Sequence, residues 1–296
     1  MGIRELKTFV AVAERGSLSA GAEARFISLP AVSAQIASLE AEWGISLFDR
    51  TRKPARLTNE GLALLAKARE VLGLYDQIGD AIREPDDLTG SLVLGSIPTA
   101  LTSVIPKALL SLRELHPRLQ IRVHHGLSPS FAEMLRNGEI DAAIISEPRV
   151  QLPNLRWEPF AREPILVIAP REAKGRTDEA LLKAYPYIRF NRHFWVSHVI
   201  EEALAKRRIV LRETMELDSL EAIALMVAHG LGVSIIPVSH TSFLRLHRVK
   251  AVPLGRPPLS RTIGLAERVG NPKGRLTAAL LDALNRAAAK IAKTST

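Results

Sequence analysis

The sequence of 296 residues contains no cysteine, and only 5% of its residues are aromatic. The lack of cysteine excludes disulfide frameworks, thiolate metal sites and cysteine nucleophiles, and it is typical of a reducing compartment. Long uninterrupted apolar runs are missing as well, so the sequence predicts neither a signal peptide nor a membrane span. We therefore expect a cytoplasmic protein.

Motifs of the common catalytic classes are also missing. The chain has no GxSxG, no GxxxxGK[ST] and no GxGxxG after a predicted strand. His124 and His125 are neighbours on a predicted strand and would point to opposite faces, so they cannot bind one metal ion together. His193 and His198 lack the spacing of a metal-binding pair on a helix. We expect no enzymatic activity, no catalytic residue, no cofactor and no metal.

A stretch rich in small residues, SAGAEARFISLPAVSAQI at 19–36, is the most informative part of the chain. It predicts two short helices that cross closely at a tight bend, the arrangement of a helix-turn-helix. Ser19 and Ser28 are expected to cap the two helices, and Phe26 and Ile27 to fill the elbow. An ordinary alanine-rich helical hairpin is the alternative for this stretch alone.

The second of these helices has one apolar face and one open face. Val32, Ile36 and Leu39 recur at spacings of four and three, which predicts an inward stripe. The opposite face is then available to a DNA groove. A neighbouring basic turn at 49–58 predicts a wing whose cations meet phosphates. The candidate DNA-binding residues are Ser28, Leu29, Pro30, Ser33, Ala34, Gln35, Arg50, Arg52, Lys53 and Arg56.

The net charge of +9 is not itself the nucleic-acid signal. Residues 1–89 hold 11 Lys or Arg against 13 Asp or Glu, so the region with the helical pair is slightly acidic overall. What favours DNA is the local cluster of four cations within residues 50–56.

One long helix is predicted from Thr58 to about Arg83, with Ile3 to Arg15 as an earlier amphipathic helix that ends at Gly16. The long helix carries a heptad-like seam, which favours dimerisation through a partner helix, with packing onto the chain's own second part as the alternative. That seam consists of Gly61, Leu65, Ala68, Leu72, Tyr75, Gly79 and Ile82. A linker is expected at 85–90.

Beyond residue 90 strands alternate with helices, which predicts an α/β fold with a parallel sheet covered on both faces. The chain therefore divides into 1–60, 61–89 and 90–296. The last part is expected to form two lobes, one of 90–163 with 268–296 and one of 164–267, with hinges near Glu163 and Glu267.

Residues 9–61, FVAVAERGSLSAGAEARFISLPAVSAQIASLEAEWGISLFDRTRKPARLTNEG, closely resemble the winged helix-turn-helix of LysR-type transcriptional regulators. GEIDAAI at 138–144 and DSLEAIALMVAHGLGVSIIP at 218–237 look like the effector-binding region of that family. The resemblance covers essentially the whole chain. It implies a winged helix-turn-helix at 1–60, a dimerisation helix at 61–89, and a periplasmic-binding-protein-like (type 2) effector domain at 90–296.

Further expectations follow from the resemblance. It implies a sequence-specific regulator of promoter DNA that dimerises through the linker helix, assembles into a tetramer and senses a small molecule, with RNA polymerase as a further candidate partner and no membrane. A cytoplasmic small-ligand-binding protein without specific DNA readout is the alternative. An exported solute-binding protein would lack the first 83 residues.

Two positions depart from the family's pattern. Many members have Gln where this chain has Leu29, and Arg or Lys where it has Ala34. Gln and Arg read base edges, whereas an apolar side chain contacts only a thymine methyl. We expect reduced direct readout and a heavier reliance on the wing cations, Ser33, Gln35 and the shape of an A/T-rich site.

The effector site is expected at the carboxyl ends of strands, where helix N-termini present free N–H groups to anions. The candidate effector-binding residues are Pro98, Thr99, Ala100, Thr102, Ser128, Ser146, Asn191, Arg192, His193 and Phe194. A small carboxylate is the expected effector, aromatic if Phe194 and Trp195 contact it. Simple helix capping explains Thr99 and Ser128 equally well, and Arg192 is also readable as a surface charge.

Overall fold

The computed structural model describes residues 2–51, 54–81 and 88–294. It divides into two compact units, one of Met1–Asp87 with Asn137–Glu139 and one of Leu88–Arg136 with Ile140–Thr296. We call them the N-terminal and the C-terminal unit and describe each by itself.

The N-terminal unit is a winged helix-turn-helix followed by a long helix. Its elements are α1 (Ile3–Arg15), α2 (Leu18–Arg25), α3 (Leu29–Trp43), β1 (Phe48–Asp49), β2 (Arg56–Leu57) and α4 (Asn59–Ala81). Leu6 and Phe9 of α1 meet Val32 and Ile36 of α3 in one small core. The predicted inward stripe of α3 is confirmed.

Small residues permit a close helix crossing, as the sequence predicts. The crossing lies between α1 and α2, however, and not between α2 and α3. A Cβ atom on Gly21 would lie 2.5 Å from Val12 Cγ2 and 3.0 Å from Val12 Cα. Ser17, not Ser19, caps α2, since its side chain accepts a hydrogen bond from the Ala20 backbone N–H. The cap lies before the predicted position because α2 begins at Leu18.

Two aromatic side chains of this unit lie outside its core. Phe26, which the sequence predicts at the elbow, ends α2 in a left-handed backbone conformation with φ of 55°, and its side chain is 95% exposed. Trp43 is 37% exposed. Of the two residues predicted at the elbow, only Ile27 packs against the core. The left-handed conformation of Phe26 directs its own ring into solvent.

The first half of the predicted seam on α4 is used within the chain. Gly61 allows a close approach, since a Cβ atom there would lie 2.3 Å from the Leu47 carbonyl oxygen. Leu65 and Ala68 are buried in the core of the N-terminal unit, where α4 packs against α1. Neither a partner helix nor the second part of the chain therefore explains these positions. The Ile82 position lies outside the described residues.

The C-terminal unit alternates strands and helices as predicted. Its elements are β3 (Gly90–Ser96), α5 (Pro98–Leu101), α6 (Val104–Leu115), β4 (Leu119–His125), α7 (Ser128–Arg136), β5 (Ala142–Ser146), β6 (Leu155–Pro170), α8 (Asp178–Ala184), β7 (Tyr187–Phe190), α9 (Trp195–Lys206), β8 (Glu213–Leu217), α10 (Leu220–Ala228), β9 (Val233–Pro237), α11 (Thr241–Leu246), β10 (Val249–Pro253), β11 (Ser260–Arg268) and α12 (Gly274–Thr294).

These strands form a mixed sheet, not the parallel sheet expected from the sequence. The strand order is β4-β3-β5-β11-β6-β9-β7-β8, with β10 paired to β6. β3 is parallel to β4 and β5, and β7 is parallel to β8 and β9. β6 and β11 are antiparallel to their neighbours. The long β6 joins the two parallel groups, which gives two lobes with separate cores.

The return to the first lobe occurs earlier than residue 267. β11 pairs with β5 from Ile263 to Glu267 and with the first part of β6, so it belongs to the sheet of lobe I. We therefore propose that the second crossing lies near residue 259, with β6 at Glu163 as the first. The sequence alone misplaces β11 because strand pairing is not visible in a hydrophobic run.

No helix in the part of the chain that the structure describes is both long and apolar enough to cross a bilayer. Across the same residues, no group of three or more His, Asp or Glu side chains is arranged to hold a metal ion.

Candidate functional site

Helix α3 presents an open face of small and apolar side chains. Leu29, Pro30, Ser33 and Ala34 are exposed, on the side opposite the buried stripe. Ser28 caps the helix, with its Oγ accepting from the Ala31 N–H at 3.4 Å. The helix N-terminus and this face are therefore accessible together, as a DNA-reading helix requires.

Gln35 does not share that face fully. Its side chain is half-buried, and its Oε1 is buried without a hydrogen-bond partner among the described residues. The predicted role of Gln35 as a base-reading residue needs a different rotamer from the one seen here, because an acceptor turned inward cannot reach a base edge.

The wing is a two-residue ladder with two exposed cations, one of which is bonded to α3. Asp49 is opposite Arg56 across β1 and β2. Arg50 Nη2 donates to Glu40 Oε2 at 2.8 Å, and the other oxygen of Glu40 accepts from the Leu47 N–H at 2.8 Å. Arg50 is thus bonded to α3, whereas the Arg56 side chain has no hydrogen bond or ion pair with another described residue; both residues are exposed. Arg52 and Lys53 lie outside the described residues.

In the C-terminal unit the predicted effector residues after β3 are mostly buried. Ala100 is fully buried and Thr99 is 3% exposed, while Thr102 is exposed. Pro98 begins α5, and Ile97 makes no side-chain cap. The Thr99 hydroxyl does not cap a helix either: it donates to Glu163 Oε2 at 3.1 Å and accepts from Arg261 Nη2 at 2.6 Å.

This contact is part of a buried polar cluster that is not evident from the sequence. Arg261 donates from Nε and Nη2 to Glu163 Oε2, at 2.9 and 2.7 Å. Its Nη1 donates to Ser146 Oγ at 3.1 Å, and the Ser239 hydroxyl donates to Glu163 Oε1. β6 and β11 carry several charged residues, so the sequence alone does not show that Glu163 and Arg261 are the buried pair.

Ser128 and Ser146 come together as predicted, through a contact of a different kind. Ser128 Oγ accepts from the Ser146 backbone N–H at 3.2 Å, and both side chains are buried. Ser146 in turn accepts from Arg261. Thr99 and Ser146 therefore share Arg261 as a neighbour, and Ser128 is linked to them through the Ser146 backbone N–H.

The 191–194 loop is held by an ion-pair network on lobe II. Arg192 donates through Nε to Glu216 at 2.9 Å and through Nη2 to Glu213 at 3.0 Å. The hydrogen bond with Glu216 raises the pKa of Arg192, and the same bond lowers the pKa of Glu216. Both groups are exposed, so water screens this pair strongly.

The other residues of this loop divide between surface and core. The Asn191 side chain accepts from the His193 N–H at 2.9 Å, and His193 is exposed. Phe194 is buried and stacks on Phe190, with ring centroids 4.4 Å apart. Phe194 thus serves the core of lobe II.

Glu163 and Ser239 of the buried cluster line a cavity of about 630 Å³. Two further cavities are together called the cleft below. One of about 360 Å³ is lined by Pro98, Thr102, His125, Phe194 and Leu220 among others. The second, of about 420 Å³, is lined by Ser146, Trp195, Val196 and Arg261 among others. Each has room for a small organic molecule.

A winged helix-turn-helix joined to a two-lobed α/β domain with a cleft defines a DNA-binding regulator with a ligand-sensing domain. Comparison with known proteins identifies the family within this class. A family model described as "Bacterial regulatory helix-turn-helix protein, lysR family" matches residues 3–62, and one described as "LysR substrate binding domain" matches residues 85–289. The chain belongs to the LysR family of transcriptional regulators, which are not enzymes.

Individual relatives agree with this assignment. A "Probable RuBisCO transcriptional regulator" of Cyanidioschyzon merolae is 30% identical over 244 residues, which cover 79% of this chain and 80% of the relative. A "Probable hydrogen peroxide-inducible genes activator" of Streptomyces viridosporus is 28% identical, over 95% of this chain and 94% of the relative. These similarities concern the family and do not specify an effector.

Solved structures extend the similarity to the full length. A full-length variant of OxyR from Pseudomonas aeruginosa is 27% identical, with a TM-score of 0.77 over 96% of this chain and 98% of that one. CbnR in complex with its target DNA is 24% identical, with a TM-score of 0.66 over 97% of this chain and 100% of that one. The second likeness shows a shared fold.

Proposed function

We propose that this regulator binds promoter DNA in a sequence-specific manner through α3 and the wing, and that a small molecule in the cleft modulates the binding. The open face of α3 carries the proposal, because Leu29, Pro30, Ser33 and Ala34 are accessible on the side opposite the buried stripe. Arg56 supplies an exposed phosphate partner beside it. The cleft in a two-lobed domain is the natural ligand site.

The test is DNA binding across a salt series, with DNA from immediately upstream of the protein's own gene compared with an unrelated fragment. We expect tighter binding of the upstream fragment and strong salt dependence. Arg56→Ala should weaken both fragments similarly and reduce the slope of log K against log salt by about 0.9 if one phosphate contact is lost. Mobility-shift titrations measure both quantities.

Arg176→Ala is the control for that experiment, since Arg176 is an exposed cation of the C-terminal unit. It should leave the slope unchanged. A loss confined to the upstream fragment would contradict the phosphate role of Arg56. Equal binding of both fragments by the parent protein would favour the alternative, a ligand-binding protein without specific readout, which the apolar Leu29 and Ala34 make the second candidate.

We also propose that α4 mediates dimerisation, through a face that shares only Tyr75 with the predicted seam. Val71, Leu74, Tyr75 and Ile78 are 42%, 51%, 46% and 62% exposed. Their spacing of three, one and three residues places them on one side of the helix. An exposed apolar stripe of this length on a helix favours a partner helix. A tetramer would need a further interface on another part of the chain.

Leu74→Asp should disrupt this dimer, because a carboxylate would be buried in an apolar interface without a partner. We expect the dimer dissociation constant to rise at least about 100-fold, which corresponds to about 2.7 kcal/mol. Sedimentation velocity at micromolar concentration measures the change. Ala278→Asp, at an exposed position of α12, is the control. An unchanged sedimentation coefficient for Leu74→Asp would remove the stripe from the interface.

For the effector, the family assignment supports a small molecule and leaves its chemistry open. A relative is named as a hydrogen peroxide-inducible genes activator. The 296 residues here contain no cysteine, so a thiol switch is excluded for this sequence. The charge of the effector is limited instead by the side chains that surround the cleft.

A further inference from the structure

A buried ion pair lies at the point where β6 passes from lobe I to lobe II. Glu163 of β6 is directly opposite Arg261 of β11 in the sheet register. The two residues are 2% and 7% exposed. Both charges are thus removed from water at the position where the two lobes meet.

Within this cluster the carboxylate accepts several hydrogen bonds. Oε2 of Glu163 accepts from two guanidinium nitrogens of Arg261 and from the Thr99 hydroxyl. Oε1 accepts from the Ser239 hydroxyl. The remaining Arg261 contact is to Ser146. The sequence predicts that Thr99 and Ser146 contact an effector, but their hydroxyl groups are already hydrogen-bonded to the ion pair.

One further cation at the cleft is also paired with a carboxylate, although that pair is exposed. Arg149 also lines the 420 Å³ cavity, and its guanidinium is bonded to Glu202. Asp218 and Glu221 line the 360 Å³ cavity. Among the described residues, each guanidinium group that lines these two cavities has a carboxylate partner. A ligand carboxylate would enter a region where positive charge is compensated and negative charge is present.

We propose that Glu163 determines the effector specificity of the cleft by acting as an internal substitute for a ligand carboxylate. It holds Arg261 as a bound acid would, and its charge repels a second carboxylate. The cleft thus selects an effector without net negative charge, in place of the carboxylate that the sequence suggests. This inference rests on the proposed role of the cleft as the effector site.

Chemical complementation by acetate tests the substitution directly. Glu163→Ala removes a CH₂–COO⁻ group, which has the size and charge of acetate, and leaves Arg261, Thr99 and Ser239 in place. We expect acetate, but not chloride at the same ionic strength, to raise the thermal midpoint of this variant. The rise should be about 3–6 °C when acetate exceeds its Kd tenfold. The full-length wild type should show no such difference.

Two controls separate a specific site from a general effect of acetate. Glu163→Gln fills the same space, so acetate should not stabilise it. Glu163→Ala combined with Arg261→Met lacks the cation, so acetate should not stabilise that protein either. Stabilisation of wild type by acetate to the same extent as Glu163→Ala would overturn the proposal. A Glu163→Ala protein with no acetate response would also overturn it.

A second variant and a second measurement keep the proposal testable if the Glu163→Ala protein does not fold. Glu163→Gly leaves the same cation in place and at least as much space, so it should also be stabilised by acetate. In wild type, the indole N–H signal of Trp195, beside Arg261 in the 420 Å³ cavity, reports on occupancy by NMR. A saturable shift of that signal with acetate or benzoate in wild type would overturn the proposal.

These measurements do not involve DNA, so they distinguish the two proposals. A protein that fails to bind upstream DNA but shows acetate complementation would retain Glu163 as the internal ligand and lose the regulatory role. The reverse result would retain the regulator and return a carboxylate effector to consideration.

Discussion

Ala34→Glu is expected to abolish specific DNA binding while the protein stays folded. Ala34 is exposed in the second turn of α3, on the face proposed for the DNA groove. A carboxylate there would be brought against phosphates and base acceptors, and like charges opposed in an interface cost several kcal/mol. We expect an affinity loss of about 100-fold or more. Fluorescence anisotropy with upstream DNA measures it.

The same substitution on another exposed helix is the matched control. Ala278→Glu in α12 should leave DNA affinity unchanged. Both variants should unfold within about 0.5 kcal/mol of the parent, as is usual for exposed positions. If Ala34→Glu bound upstream DNA as tightly as Ala278→Glu, α3 would not be the reading helix.

Arg261→Met is expected to be the most destabilising single substitution considered for the C-terminal unit. It removes the cation and leaves Glu163 buried, and the loss of one partner of a buried pair costs about 3–5 kcal/mol. Thr99 and Ser146 also lose a donor. Urea unfolding followed by far-UV circular dichroism measures the free energy of unfolding.

Arg192→Met provides the comparison, because Arg192 is also paired with two carboxylates but its side chain is 53% exposed. Its loss should cost at most about 1 kcal/mol. Glu163→Gln combined with Arg261→Met should be less destabilised than the sum of the single changes, since the unpaired charge is gone. Additive effects would show that the two residues act independently.

Local patterns in the sequence were sufficient for the elements that depend on near neighbours. Helix α1 has the predicted bounds from Ile3 to Arg15, because its apolar face and the left-handed Gly16 are both local signals. The inward stripe of α3 was equally readable. The LysR assignment followed from a dense pattern spread over the whole chain, and the family models confirm it.

Features that depend on distant parts of the chain were not readable. The periodicity of α4 identified a buried face but not its partner, which is α1 for Leu65 and Ala68. Thr99 was selected from its position after a strand, but its partner Arg261 is 162 residues away in sequence. Which donor meets which acceptor across that separation is decided by the sheet register, and the sequence carries no local mark of it.

The tight seat of Gly61 against the Leu47 carbonyl has a mechanical consequence. The Thr58 hydroxyl is bonded both to the Ser46 carbonyl, at 2.7 Å, and to the Gly61 N–H, at 3.0 Å. Helix α4 and the base of the wing are therefore joined and move together as one rigid body. A rod of its 23 residues is roughly 34 Å long, so a tilt of about 5° moves one end by about 3 Å relative to the other, close to the rise of about 3.4 Å between base pairs.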